Sequence, residues 1–179
     1  MIVEVNQVAP DFDASDIQGN PARLSDLHGK KILLTFYRHV GCPVTNLRFL
    51  ELSKYDSLFG NKGLVVLAIF ESSVANLLRY CEAENFYARL IANPEFNLYE
   101  QYSIEQNTLK ILYSMYRGVH AKSEAGKKRF KAVFEPEGHP HLLGGEFLVN
   151  EEGIIKKAYY SQYLGDHMLI SDILKFIEI

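Results

Sequence analysis

Apolar residues in this chain gather into two long runs and, later, into two segments on either side of a turn. The runs Lys31–Tyr37 and Leu64–Phe70 are apolar and partly β-branched, which is typical of strands covered on both faces of a sheet. Later, 146–150 and 154–160 flank a polar turn and predict a hairpin. The pattern therefore predicts a parallel sheet segment to which antiparallel strands are added.

Between and after these strands, apolar positions recur at the spacing of helices. Strands that alternate with helices early and pair as a hairpin late predict a mixed α/β sandwich. The further predicted elements are a helix at 47–59, a helix at 74–81 capped by Ser72 or Ser73, a short strand at 86–91, a short helix from Pro94 to Tyr102, and a C-terminal helix to Ile177 capped by Asp166.

The segment 107–141 does not follow this alternation of strands and helices. It holds a predicted helix at 109–116 and then a basic stretch, whose ordinary interpretation is a solvated helix face and whose alternative is a site for an anion or a partner. No linker or repeat divides the chain, so we expect one domain over 1–179 with 107–141 inserted in it. The basic residues are Arg117, Lys122, Lys127, Lys128, Arg129 and Lys131.

Composition narrows the class of protein. The 179 residues are 47% hydrophobic and carry a net charge of −3, which argues against a nucleic-acid-binding surface. Two cysteines cannot form the disulfide framework of a small secreted domain. No apolar run approaches the ~20 residues of a membrane span, and the first residues do not have the pattern of a signal peptide. We therefore expect a cytoplasmic protein that binds neither membrane nor nucleic acid.

The sequence Gly41-Cys42-Pro43 follows the first buried strand. Proline is favoured at the first helical position, so Cys42 is predicted at or beside the N-cap of a helix. A thiolate there faces free backbone N–H groups and the positive end of the helix dipole. Arg38 and His39 could add positive charge and Thr45 a hydroxyl. The alternative is a packed structural cysteine, although such cysteines usually lie on the apolar stripe of an element.

Several short motifs are spread over nearly the whole chain: 7–12, Leu24–Leu27, 31–36, Phe70-Glu71-Ser72, Asn93-Pro94-Glu95, Gly144-Gly145-Glu146-Phe147 and Gly165-Asp166-His167. Together they resemble the peroxiredoxin and thiol-specific antioxidant proteins, and more narrowly the peroxiredoxin-like relatives of alkyl hydroperoxide reductase. The resemblance implies a thioredoxin-like mixed sheet flanked by helices, with an inserted helical segment before the last hairpin. It also implies that Cys42 is the peroxidatic nucleophile and that no metal, haem or flavin cofactor is used.

The sequence departs from the family pattern at the site. Peroxiredoxins carry proline, and threonine or serine, where this chain has Thr35 and His39, and an arginine near the position of Gly144. Many members of the narrower group have Cys-x-x-Cys, whose second position is Thr45 here. These departures predict slow peroxide reduction, and Arg38 is a candidate to replace the missing arginine as the stabiliser of thiolate and peroxide.

The remaining candidates each have two interpretations. Cys81 resembles the resolving cysteine of some peroxiredoxins, yet it also completes an apolar helix face and could be a core thiol. His139 and His141 alternate as a metal-binding pair would, but the surrounding turn residues favour a loop. His167 is expected near the start of the last helix.

The first hypothesis is a thiol-dependent oxidoreductase that reduces hydrogen peroxide or small organic hydroperoxides through Cys42 and is recycled by a thioredoxin- or glutathione-type donor. The alternative is a thioredoxin-like redox sensor, or a thiol reductase of another substrate, without efficient peroxidase turnover. A homodimer is left open.

Overall fold

The structure is a computed structural model that describes residues 2–81, 87–129 and 137–178, apart from the side chains of Tyr80 and Cys81. Within these ranges the strands form one five-stranded sheet in the order β3-β2-β1-β4-β5. The strands are β1 (Lys31–Tyr37), β2 (Leu64–Phe70), β3 (Arg89–Ala92), β4 (Gly145–Val149) and β5 (Ile155–Tyr160).

Helices connect the strands and cover both faces of the sheet. None of the described helices is long and apolar enough to cross a membrane. After a 3-10 turn at Leu24–Leu27, the helices are α1 (Pro43–Ser53), α2 (Asp56–Asn61), α3 (Val74–Cys81), α4 (Asn97–Gln101), α5 (Thr108–Tyr116), α6 (Val119–Arg129) and α7 (Ile170–Glu178).

The strand pairing confirms the mixed sheet that the apolar pattern predicts. β1 runs parallel to β2 and antiparallel to β4. Along β1, Leu34 and Phe36 pack into a core on one side of the sheet, whereas Leu33 belongs to a core on the other side. Helices cover both faces, which is why β1 is apolar at almost every position rather than at alternate ones.

The predicted helix at 47–59 is two helices, α1 and α2, and its apolar stripe is buried only in part. The stripe expected to be buried is Leu47, Leu50, Leu52, Tyr55, Leu58 and Phe59. The buried face of α1 includes Val44, Arg48 and Phe49, whereas Leu47 and Leu50 are only partly buried. A charged residue occupies the buried face because Arg48 has a buried carboxylate partner, described below. Leu52 and Phe59 are buried as expected, so the periodicity of apolar residues identified part of the buried face and missed Arg48.

The prediction that Asp166 caps the C-terminal helix is wrong. α7 begins at Ile170. The carboxylate of Asp166 instead accepts hydrogen bonds from the Gln162 backbone N–H and the Tyr159 hydroxyl, both at 2.8 Å. It therefore stabilises the turn after β5 rather than the start of α7.

The segment 107–141 contains α5 and α6, and its ends meet. The backbone N–H of Asn107 donates to the carbonyl of His141 at 3.0 Å, and the Asn107 side chain caps α5 by accepting from the Lys110 N–H. The basic stretch through Arg129 is largely helical as α6; Lys131 lies outside the described residues. The domain boundaries and the inserted origin of this segment stay predictions.

Candidate active site

Cys42 is the N-cap of α1, as its place before a proline predicts. Its backbone is extended, with φ −75° and ψ 113°, and Pro43 fills the first turn. The Cys42 carbonyl accepts the first helical hydrogen bond, from the Asn46 N–H at 3.0 Å. The sulfur is close to the positive end of the helix dipole, which favours an anion there. Only 3% of the residue is exposed.

The loop between β1 and α1 is held by buried hydrogen bonds. The Val40 N–H donates to the Ser72 hydroxyl at 2.9 Å, and the Asn46 side-chain amide donates to the Val40 carbonyl at 2.9 Å. The Cys42 N–H donates to the His39 carbonyl. These contacts tie the loop to α1 and to the end of β2, so the position of Cys42 is fixed before any substrate arrives.

Arg38 leaves the end of β1 and reaches the cysteine. Its Nη1 lies 3.9 Å from Cys42 Sγ, and its Nη2 donates to the Pro140 carbonyl at 2.8 Å. Arginine stays protonated in proteins, so a fixed positive charge adjoins the sulfur. The structure therefore brings together the cysteine and the cation that the sequence offered as its partner.

His39 lies beside this pair but does not add a second charge at neutral pH. Burial and the neighbouring Arg38 charge lower the pKa of His39 below its ordinary value, although Glu137 opposes the change. Its buried Nδ1 has no hydrogen-bond partner in the described parts of the chain. Arg38 is therefore the cation that adjoins Cys42.

Thr45 is buried and lines a small cleft beside the site. The cleft has a volume of about 20 Å³, enough for roughly one water-sized group. Gly144 also lines it, so the position where peroxiredoxins carry an arginine faces the same space as Arg38. The other lining residues are Phe36, Tyr37, Val44, Ser161, Leu164, Gly165 and His167.

The Gly144 position is crowded. An added Cβ would lie 3.0 Å from the Phe36 carbonyl oxygen and 3.3 Å from the Ser161 hydroxyl. A side chain at this position would therefore press on the end of β1. Arg38, one residue beyond β1, presents its guanidinium to the cleft instead.

A buried ion pair lies next to His167, one of the residues that line the cleft, and its two members were not predicted to pair. The Arg48 guanidinium binds the Glu146 carboxylate through two contacts of 2.9 Å. The same carboxylate accepts from the Met168 N–H at 2.8 Å. The sequence could have indicated this pair, because Arg48 in a predicted helix and Glu146 in a predicted strand are opposite charges that each stand among apolar neighbours.

His167 lies next to this ion pair rather than in the last helix. Its Nδ1 is 3.8 Å from Glu146 Oε1. Burial lowers the pKa of His167 well below its ordinary value, and the charges of Arg48 and Lys122 lower it further. The imidazole is therefore neutral at pH 7 and lines the cleft without charge.

The two loop histidines do not form a metal site in the described structure. His139 contacts the Glu71 carboxylate through both its ring and its backbone N–H, while His141 Nδ1 lies 3.1 Å from the Thr108 hydroxyl. Within the described ranges, no group of three or more potential ligands is arranged to hold a metal ion. The loop interpretation therefore fits both residues.

Cys81 is the last residue of α3, and its side chain lies outside the part of the chain that the structure describes. The face to which the sequence assigns it is only partly buried. Leu77 is fully buried, whereas Val74 and Leu78 are 48% and 43% exposed. Both interpretations of Cys81, resolving thiol and core thiol, stay open.

A five-stranded mixed sheet, flanking helices and a cysteine at the start of α1 define a peroxiredoxin-like protein of the thioredoxin fold. The model of the AhpC/TSA family matches residues 5–158. The chain therefore belongs to the AhpC/TSA family, as its motifs indicate.

Individual relatives agree with this membership. The chain is 26% identical over 174 residues to a protein named as a peroxiredoxin bcp in Haemophilus influenzae, and the match covers 97% of each chain. Among solved structures, a peroxiredoxin 6 variant of Arenicola marina aligns with a TM-score of 0.70 at 15% identity, covering 98% of this chain and 72% of that one. A PrxQ variant of Xylella fastidiosa aligns with a TM-score of 0.69 at 14% identity, covering 99% and 95%. The two structural likenesses show the thioredoxin-type fold.

Proposed function

We propose that this chain is a thiol peroxidase in which Cys42 reduces hydrogen peroxide or a small organic hydroperoxide. The observation that carries the proposal is the Cys42 sulfur at the start of α1 with Arg38 Nη1 at 3.9 Å. The helix dipole and the guanidinium both place positive charge at the sulfur, and the thiolate is the form of cysteine that acts as a nucleophile.

The first step transfers one oxygen. The Cys42 thiolate attacks the terminal oxygen of ROOH, an S–O bond forms and the O–O bond breaks. The leaving alkoxide takes a proton and departs as ROH, and Cys42 becomes a sulfenic acid. Arg38 supplies hydrogen-bond donors where negative charge develops on the leaving oxygen, a role that lowers such barriers substantially.

The enclosure of Cys42 supports a preference for small peroxides. Only 3% of the residue is exposed, so a bulky R group would reach the sulfur only if the neighbouring residues moved. We therefore expect hydrogen peroxide to react faster than a large organic hydroperoxide.

The second step needs a thiol. A thiol condenses with the sulfenic acid, water leaves, and a disulfide to Cys42 forms; a second thiol then releases reduced Cys42. The first thiol is either Cys81 of the same chain or an external donor of the thioredoxin or glutathione type. Mass spectrometry after one equivalent of peroxide separates the two, because a Cys42–Cys81 disulfide loses two hydrogens and a sulfenic acid gains one oxygen.

A redox sensor is the second candidate, and the enclosure of Cys42 favours it. A sulfur in a residue that is 3% exposed can react with a small oxidant and yet be reached slowly by a donor. Turnover distinguishes the two functions: a peroxidase consumes many equivalents of peroxide with dithiothreitol or a thioredoxin system, whereas a sensor consumes about one. The cytoplasmic location and the homodimer stay predictions.

A further inference from the structure

Two side chains leave the sheet side by side next to the candidate active site. Tyr37 and Phe70 are the last paired residues of the parallel strands β1 and β2. Arg38 and Glu71 follow them directly, at the carboxyl edge where open α/β sheets place their ligands. Arg38 and Glu71 are therefore neighbours of opposite charge at the edge of the sheet, yet they do not form an ion pair with each other.

Glu71 instead holds a distant loop. It is only 2% exposed, and its Oε2 accepts from the His139 backbone N–H at 2.9 Å while its Oε1 contacts His139 Nδ1. Gly138, just before, has φ +69°, and an added Cβ would lie 2.3 Å from the carboxylate. Only glycine fits this approach without displacing the carboxylate or the loop.

The loop that Glu71 holds is the one that orients Arg38. The Pro140 carbonyl, one residue after His139, accepts from Arg38 Nη2 at 2.8 Å, and Arg38 Nη1 faces the Cys42 sulfur. A free arginine side chain has many rotamers. One carbonyl at a fixed place selects the rotamer that faces the sulfur.

The indirect arrangement has a chemical consequence. Among the described residues, Arg38 forms no ion pair with a carboxylate. A neutral carbonyl orients the guanidinium without neutralising its charge, whereas a direct bond to Glu71 would reduce the positive potential at Cys42. The Glu71 carboxylate is bound to His139. The positive charge of Arg38 is therefore available to the sulfur and to a peroxide.

We propose that Glu71 is a positioning residue for the reaction of Cys42 with peroxide. It fixes His139, so that the Pro140 carbonyl fixes the Arg38 guanidinium at the sulfur. This inference rests on the proposed peroxidase function, and Glu71 reaches the cysteine through three successive contacts. It assigns Glu71 no direct contact with substrate.

The test is a double-mutant cycle on the rate at which hydrogen peroxide oxidises Cys42, followed by stopped flow in single turnover. Glu71→Ala should slow oxidation about 10- to 100-fold, because a small misplacement of a reacting group has effects of that size. Glu71→Gln, which keeps an acceptor for the His139 N–H, should lose less. In the Arg38→Ala background, Glu71→Ala should have no further effect, because the group it positions is gone.

Two further variants keep the test decisive if Glu71→Ala folds poorly. His139→Ala removes the ring contact but keeps the backbone, and should give a smaller loss that also disappears without Arg38. Asp16→Asn is a matched control: Asp16 is a buried carboxylate that binds Arg89 at 3.2 Å, away from Cys42. It should leave the oxidation rate unchanged.

The cycle separates failure of the inference from failure of the peroxidase function. If wild type is oxidised rapidly and Glu71→Ala slows it equally with and without Arg38, or has no effect at all, then Glu71 does not act through Arg38. If wild-type Cys42 does not react with peroxide, the peroxidase function fails. In that case the rate at which iodoacetamide alkylates Cys42 is measured in the same set of variants. It tests the positioning role, because the positive charge of Arg38 also acts on the sulfur that is alkylated.

Discussion

Cys42 lies between two regions that are held in different ways. On one side, buried hydrogen bonds hold the residues that follow β1 and β2: the Val40 N–H donates to the Ser72 hydroxyl, and the His139 N–H of the 138–140 loop donates to the Glu71 carboxylate. On the other side, α6 lies over the start of α1, where Gly126 meets Pro43 so closely that a Cβ would be 2.4 Å from its carbonyl oxygen.

The two regions also differ in what they offer the cysteine. The strand ends supply the charge and fixed geometry that a reaction needs. The helices cover the start of α1. Besides Gly126, two side chains attach this segment to the turn after β5: Lys122 donates to the Gly165 carbonyl, and Arg117 stacks on the Tyr163 ring. The strand ends are therefore the rigid side, which carries the charge, and α6 is the covering side, which closes over the start of α1.

The largest expected effect comes from the rigid side. Arg38→Ala should slow the oxidation of Cys42 by hydrogen peroxide by ~10²–10³-fold, the usual loss when one donor to a developing negative charge is removed. Arg38→Lys keeps a charge but loses the two-nitrogen geometry, so it should recover only part of the rate. Stopped-flow single turnovers measure both, and an unchanged rate in Arg38→Ala would remove the arginine from the mechanism.

A substitution on the covering side should make Cys42 react faster with a bulky reagent, rather than slower with peroxide. Gly126→Val forces α6 away from Pro43, so a bulky thiol reagent such as a dinitrobenzoate disulfide should react with Cys42 about 10-fold faster. Overpacking of this kind costs ~1–3 kcal/mol, which a thermal unfolding curve would register. Gly60→Val is the matched control, since nothing lies within 4 Å of the Gly60 position. Equal reactivity in both variants would mean that α6 does not limit access.

The pH dependence of stability sharpens the comparison further. The pKa of His39 is lowered in the folded state by burial and Arg38, and that of His167 is lowered by burial, Arg48 and Lys122. The unfolded chain therefore binds more protons below about pH 6.5, so stability is present above that pH and decreases as the pH falls through it.

His167→Gln should reduce this acid sensitivity, because it removes the more strongly affected imidazole while Glu146 keeps its bond to Arg48. Chemical denaturation at pH 7.5 and pH 5.5 measures the difference. If the free energy of unfolding falls by the same amount between pH 7.5 and pH 5.5 in wild type and variant, His167 does not contribute to the acid sensitivity.

The smallest effect is expected on the outer face of α5. Leu109 is 77% exposed and Leu112 is 53% exposed, so Leu109→Ser and Leu112→Ser should each change the free energy of unfolding by less than ~0.5 kcal/mol. Light scattering during size exclusion gives the second readout. If the wild type is a dimer through this face, these variants should become monomeric, and a dimer that persists would assign the contact elsewhere.

Local chemistry in the sequence was enough to predict much of the site. Gly41-Cys42-Pro43 after a buried strand indicates an N-cap cysteine, and the structure places it there. Long-range partners could not be predicted. Nothing in the sequence near Arg38 indicates that Pro140, 102 positions away, orients it.

The same limit explains why the buried face of α1 was predicted only in part. Arg48 looks like a solvent-facing residue until Glu146, 98 positions later, is brought beside it. Periodicity ranks positions by apolarity and cannot recognise a buried charge whose partner lies in another element. Tertiary pairing therefore decides the features that sequence pattern leaves out.

The central claim, that Cys42 is the thiol that reacts with peroxide, is tested most directly by adding one equivalent of hydrogen peroxide to the reduced protein and mapping oxidation by mass spectrometry with dimedone present. We predict that Cys42 carries the modification, as a trapped sulfenic acid or in a disulfide with Cys81, and that Cys42→Ser consumes no peroxide on this time scale. Unmodified Cys42 in oxidised wild type, or undiminished peroxide consumption by Cys42→Ser, would contradict the account.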